Sequence, residues 1–418
     1  MHALLQRCCG LVVFFGLAAV CAANGDLVLV WNDLTLRAIR YANVPPPLAV
    51  RQMAVVHLAM FDALNAIERR NKPYLVEGPA PANCSPQAAL SAAAHHSIRA
   101  LFPKSAEMLD SHYRAMLAST PDSAAKTNGM AWGKHVASEF LKLRQFDGAG
   151  QAVGYADEVR AGRWQRTPAN YDKPLLPGLG RMKPFALPSI ENFRPPPPPP
   201  LASKEWAAQY DQVRRLGASN STARTAEQRE IARFWADGSD TETPPGHWNK
   251  IAQQVARKKG CDLLDSARLL AALNMAMADA GIVCWDAKYT HNWWRPVTAI
   301  RAGAMDGNPE TEADPEWLPL LNTPPFPEHT SGHSTFSGAA AQVLAELSGS
   351  DEFAFVTTSD GLPGVVRRFR RFSDAAREAG MSRIYGGIHF SSANEAGLEC
   401  GRKIGRHVVQ NFFGAEKN

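Results

Sequence analysis

SARLLAALNMAMADAGIVCWDAKYTHNWWRP, residues 266–296, is the stretch on which the fold class turns. Its spacing predicts one long helix that begins near Leu264 or Asp265. The helix is expected to end at Arg295-Pro296, because the residue before a proline is pushed out of the α region. The helical period returns on both sides. Upstream, Leu34 to Ile67 reads as helical with a break at VPPP, Val44 to Pro47. Pro86–Phe102, Ala106–Leu117 and Met130–Arg144 follow, and then Lys204–Leu216, Thr225–Ala236 and Trp248–Lys259. Downstream, a helix runs from Ser331 towards Leu347. SDAAREAGMSRIYGG and SSANEAGLECGRKIGRHVVQNFF complete the chain, and Ser392 and Glu395 are spaced as a capping box. There is no internal repeat and no run of alternating strands. The fold class is mainly α.

From about residue 150 to 203 the chain changes character. Proline and glycine accumulate and end in FRPPPPPPLAS, whose six prolines favour a stiff polyproline II segment. Trp164, Tyr171, Phe185 and Phe193 are more apolar anchors than a free linker carries. The stretch is therefore expected to be an arm wrapped over one α-helical domain spanning 24–418, with an inter-domain linker as the alternative.

The 418 residues are 45% hydrophobic and 20% charged, the profile of a globular protein with ample core. Residues 1–23 read as a secretory signal, with Arg7 in the basic region, Gly10 to Val20 as the apolar run and cleavage near Ala23. An anchor helix and a lipoprotein signal at Cys21 are rival readings. The first needs a run of about 20 apolar residues, and the second sits badly with the bulk of Val20. A secreted or periplasmic protein is expected, with no later segment apolar enough to span a bilayer. Losing Arg7 lowers the formal charge from +5 to +4, a mild value that argues against a nucleic-acid partner. Cys84, Cys261, Cys284 and Cys400 are too widely spaced for a metal motif, and their disulfide pairing cannot be read from the sequence.

Three pieces of the chain carry chemistry. KYTHNWWRP places Lys288 and Arg295 seven apart, close to two helical turns, so that both cations point to nearly the same side. PPFPEHTSGHSTFSGAAA, 324–341, sets Ser331-Gly332-His333 at the mouth of a helix. SRIYGGIHF, 382–390, places Arg383 and His389 on either side of a Gly386-Gly387 break that lets backbone crowd a small ligand. Each has a plain alternative: a solvated helix face for the cations, an N-cap for Ser331, and a satisfied core histidine for His389. Together they supply two arginines, a lysine, a hydroxyl and a helix N-terminus, with no carboxylate dedicated among them. Such donors match a tetrahedral oxyanion. One of the two histidines can then bond to the central atom while the other moves protons.

The order Lys-x6-Arg-Pro, Ser-Gly-His, Ser-Arg-x5-His resembles that of the vanadium-dependent haloperoxidases and the acid and phosphatidic acid phosphatases of the same superfamily. Lys288 to Pro296, Ser331 to His333 and Ser382 to His389 carry the resemblance, over roughly the last third of the chain. VVHLAMFDALNAI, 55–67, resembles bacterial members as well. The resemblance implies a helical-bundle fold and vanadate as cofactor. It implies that His389 ligates vanadium, that Lys288, Arg295, Arg383, Ser331 and Gly332 hold the vanadate oxygens, and that His333 is the acid–base group. Lys288 would also polarise bound hydrogen peroxide, and halide attack would give hypohalous acid. In a phosphatase the same residues imply attack by His389 on phosphorus and protonation of the leaving group by His333.

Trp285 and Phe326 align with aromatic positions near the halide site of fungal-type chloroperoxidases, and are otherwise plain core aromatics. Thr330 stands where those enzymes usually have proline. His329 beside it tunes the site or faces solvent, the second being expected. The small-molecule partners are hydrogen peroxide, a halide and an organic acceptor, or else a phosphate ester. A homo-oligomer is an open expectation. A protein that sequesters the anion without turnover is a third reading, and it would not need His333.

Overall fold

The computed structural model describes residues 26–238 and 240–416. The leader and Cys8, Cys9 and Cys21 therefore lie outside the described residues. Among those described there are thirteen α-helices and one β-hairpin. The first five helices are α1 (Leu27–Ala42), α2 (Pro46–Glu68), α3 (Pro86–Leu101), α4 (Ala106–Ala118) and α5 (Ala124–Leu143). After the arm come α6 (Lys204–Gly217), α7 (Ala226–Phe234), α8 (Thr243–Lys259), α9 (Leu263–His291), the short α10 (Pro296–Arg301) and α11 (Gly332–Ser348). The hairpin, β1 (Glu352–Thr358) paired antiparallel with β2 (Val366–Arg371), precedes α12 (Phe372–Tyr385) and α13 (Ser391–Asn411).

Local chemistry accounts for most of the boundaries. The carboxylate of Asp262 caps α9 by accepting from the Asp265 amide, and Thr225 and Gln228 form a reciprocal capping box on α7. Pro45 to Pro47 start α2, where missing amides cost nothing. The box expected at Ser392 and Glu395 does not form: α13 begins at Ser391, behind Phe390. Its free amides are taken instead by distant side chains, Phe390 N–H donating to Glu328 Oε1 at 2.9 Å and Ser392 N–H to Gln209 Oε1 at 3.1 Å.

α9 runs through the middle, with α2 and α11 against it. By length and hydropathy α9 would cross a membrane, contrary to the sequence expectation, but 94% of its apolar window is buried inside the protein. It ends at His291, where Asn292 turns left-handed at φ 50°. Arg295 is thus the residue before α10, and a turn rather than helical periodicity brings it to Lys288.

The small residues after His333 are explained by a helix seam. α11 lies along α13 so closely that a Cβ on Gly401 would collide with the Thr335 carbonyl, and one on Gly397 would sit 2.9 Å from Ser331 O. Ser331 N–H also donates to Ala393 O at 3.1 Å. The helix that carries His333 is in this way locked to the one that follows His389.

The arm lies on the helices. Trp164 is fully buried and Phe185 nearly so, whereas Tyr171 is 57% exposed and anchors nothing. The Asp279 carboxylate on α9 accepts three arm amides, from Phe185 (2.7 Å), Ala186 (2.7 Å) and Leu187 (2.9 Å). Asp62 on α2 holds Tyr74, Leu75 and Val76 in the same way. A second aromatic cluster, including Trp206, Trp294 and Phe390, backs the ends of α6 and α10. Cys84, Cys261, Cys284 and Cys400 are all free thiols.

His57 on α2 is fully buried, with Nε2 donating to Asn32 Oδ1 at 3.0 Å, and burial pushes its pKa down to about 3. The unfolded chain takes up this proton near pH 6.5 and the fold does not, so stability is lost as pH falls through that window. The loss is about 2 kcal/mol at pH 5. His57→Gln keeps a donor for Asn32 and is expected to remove that part of the acid sensitivity, read from urea midpoints at pH 7.5 and pH 5.

Candidate active site

The three separated pieces converge. Lys288 and Arg295 are fully buried and Arg383 is 4% exposed. The rings of Trp285 and Phe326 stand 5.0 Å apart, and Phe326 lies 4.9 Å from Lys288 Nζ and 4.8 Å from Arg295 Cζ. Arg295 donates from Nε to Phe326 O (2.8 Å) and from Nη1 to Ile388 O (2.8 Å), with Nη1 also 3.1 Å from His389 Nε2. Arg383 reaches in from α12 and donates from Nη1 to Trp235 O at 2.8 Å. Arg295, Lys288, Arg383 and His333 all lie close enough to His389 to act on it electrostatically, and Ser331 and Gly332 directly precede His333 at the start of α11.

Ser331 caps α11, its Oγ accepting from Ser334 N–H, and it lies 2.8 Å from Ser334 Oγ, which is also 2.8 Å from Asn394 Oδ1. Gly332 and His333 form the first turn, where backbone amides are unpaired. The Gly386-Gly387 break serves packing rather than a ligand. Gly387 has φ +76°, a Cβ on it would collide with Gly217, and one on Gly386 would lie 2.6 Å from Leu321. The tight turn swings the chain so that His389 enters the site.

Lys288 is engaged by the backbone. Nζ donates to the carbonyls of Pro327 and Glu328, both at 3.1 Å, and of Thr330. All three protons are committed to the loop before α11. An oxyanion would have to draw one away, and the buried charge meanwhile ties that loop together.

Glu328 is the functional candidate that motif reading missed. It is a carboxylate dedicated to the site, where none was expected. It is fully buried, and Oε1 lies 2.9 Å from both His389 Nδ1 and Phe390 N. The available signal was a glutamate in an apolar proline-rich loop, since a buried carboxylate needs partners. His329, expected in solvent, is 1% exposed, its Nε2 donating to Pro196 O at 2.9 Å in the polyproline run. The arm reaches this wall at Leu175, whose carbonyl accepts from Trp285 Nε1 (3.3 Å) and from the Tyr289 hydroxyl (2.7 Å).

The electrostatics suit an anion. Burial pushes Lys288 down to about 8, Arg295 to about 9 and Arg383 to about 10, and pushes Glu328 up to about 7. Burial and the surrounding cations hold His333 and His389 well below the ordinary imidazole range. Arg295 Nη2, Arg383 Nε and His333 Nε2 are buried without a hydrogen-bond partner. The two guanidinium nitrogens are uncompensated buried donors, which are costly, and His333 Nε2 is a ring nitrogen free to take a proton. A tetrahedral oxyanion satisfies the two donors, so the residues fit vanadate or phosphate.

Comparison with known proteins gives the family. Residues 268–414 match the family model described as the VCPO second helical-bundle domain. The structure of a bacterial vanadium-dependent iodoperoxidase aligns with a TM-score of 0.81 and 30% identity, over 93% of this chain and 97% of that one. A holo-type bacterial vanadium-dependent chloroperoxidase aligns with a TM-score of 0.71 over 88% of this chain and 91% of that one, and at 18% identity speaks for the fold alone. The vanadium chloroperoxidase of Curvularia inaequalis is 28% identical, over 77% of this chain, which spans 65% of that relative's length. The chain belongs to the vanadium haloperoxidase superfamily.

Proposed function

We propose that the protein is a vanadate-dependent haloperoxidase that uses hydrogen peroxide to oxidise a halide to hypohalous acid. The observation that carries the reading is the pair of partnerless buried donors on Arg295 and Arg383, close to His389, with the unpaired Nε2 of His333 beside them. Vanadate, when bound, supplies a fully oxidised Lewis-acidic centre that activates hydrogen peroxide towards halide. Arg295 and Arg383 hold its oxygens through the donors now without partners, and the Ser331 hydroxyl and Gly332 amide add two more. His389 offers a ring nitrogen as ligand. Halide, peroxide and one proton give hypohalous acid and water, and His333 handles that proton. The Trp285–Phe326 wall lets a halide shed water without a competing hydrogen bond.

That wall favours a peroxidase over a phosphatase, because donors arranged for a phosphoryl-transfer transition state would serve either reaction. One preparation, assayed with and without vanadate, separates the two. Bromination of phenol red that requires vanadate and peroxide supports the proposal. Hydrolysis of nitrophenyl phosphate by the vanadate-free protein, inhibited by vanadate and without bromination, would replace it with the phosphatase reading.

A further inference from the structure

We propose that Glu328 is the positioning residue of the site: its carboxylate holds His389 as the Nδ1–H tautomer and so presents the Nε2 lone pair to the oxyanion. The inference rests on the reading above, in which the oxyanion bonds to His389.

Two contacts on opposite sides of the ring agree. Arg295 Nη1 lies 3.1 Å from Nε2, and a guanidinium only donates, so Nε2 must carry the lone pair. Glu328 Oε1 lies 2.9 Å from Nδ1 and accepts the proton that remains on the neutral ring. The same oxygen accepts from Phe390 N–H at 2.9 Å, which ties the backbone next to His389 to the carboxylate and leaves the ring no freedom to turn over.

The rival account makes Glu328 a plain counter-ion for Lys288 and Arg295. The hydrogen bonds argue against it. Lys288 meets Glu328 through the backbone carbonyl, and Arg295 bonds to Phe326, Ile388 and His389. The carboxylate's hydrogen bonds go to the ring and to the adjoining amide. A carboxylate behind a ligating histidine fixes its orientation and raises its basicity. Glu328 therefore acts through His389 and need not touch the anion.

The test uses the full-length protein without added vanadate, labelled with 15N in its histidine rings, with His389→Ala identifying the His389 signals. The expected result is a protonated Nδ1 and a bare Nε2, and a His389 ring protonated at Nε2 would overturn the proposal. Equilibrium dialysis against vanadate then compares variants. Glu328→Ala is expected to bind about 10–100-fold more weakly. Glu328→Gln, whose amide oxygen can accept the same two N–H groups, is expected to retain most of the affinity and the same tautomer. Wild-type binding matched by Glu328→Ala would sink the positioning role while sparing the anion site. A wild-type protein that takes up no vanadate would instead overturn the underlying reading. Should Glu328→Ala fail to fold, the wild-type tautomer decides the matter alone.

Discussion

His333→Ala is expected to lower halide oxidation by about 10²–10⁴-fold while the protein still takes up vanadate. His333 stands in the first turn of α11, its Nε2 buried and without a partner. In the absence of an anion, burial and then Arg383 hold the ring neutral. A bound oxyanion offsets that positive field, so the ring accepts a proton more readily once the site is filled. It is then placed to give the proton that hypohalous acid formation consumes. Binding leans on other groups, Arg295, Arg383 and His389, so the variant should separate turnover from uptake. Bromination rates and equilibrium dialysis on one preparation read the two. Turnover at the wild-type level would remove His333 from the chemistry and revive the reading of a protein that only sequesters the anion. His389→Ala should behave oppositely and lose uptake itself.

Asp279→Ala is expected to destabilise the fold by roughly 3 kcal/mol, because three amides, two buried and one half-buried, lose their acceptor and each unsatisfied buried group costs about 1–3 kcal/mol. The three belong to consecutive arm residues, Phe185 to Leu187, while the carboxylate sits mid-way along the buried α9. This cluster is one place where the arm is fastened to the core. Another is Arg194, which pairs with Asp286 at 2.5 Å. The urea midpoint should fall, and limited proteolysis should first cut near 183–190. Asp279→Asn keeps one acceptor oxygen and should lose less. Equal losses from both would mean that charge, rather than the number of accepted amides, fastens the arm. The effect matters for the site because Leu175, in the same arm, accepts hydrogen bonds from Trp285 and Tyr289.

The parts legible in the sequence are those whose signal is local. α9 announces itself by unbroken apolar spacing, and the three site motifs by residue types at fixed intervals. What escaped depends on contacts across the chain. The hairpin of β1 and β2 buries little beyond Phe355, Thr357 and Phe369, and its arginine-rich second strand, VRRFRR, lacks the apolar alternation that marks a strand. His329 reads as solvent-facing and Glu328 carries no assigned role, because no local spacing shows that Pro196 and His389 close over them. Lys288 and Arg295 meet through a turn and not along one helix as their spacing suggests, since the helix stops at His291. The Lys288 protons, committed to three carbonyls, are likewise a property of the folded loop.

The central claim is that Arg295, Arg383, Ser331, Gly332 and His389 enclose one oxyanion. A crystal structure of the protein soaked in vanadate tests it most directly. The account predicts density for a single vanadate bonded to His389 Nε2, its oxygens within hydrogen-bond reach of Arg295 Nη2 and Arg383 Nε. Vanadate bound elsewhere, or no vanadate at His389 while those arginine nitrogens stay without partners, would contradict it.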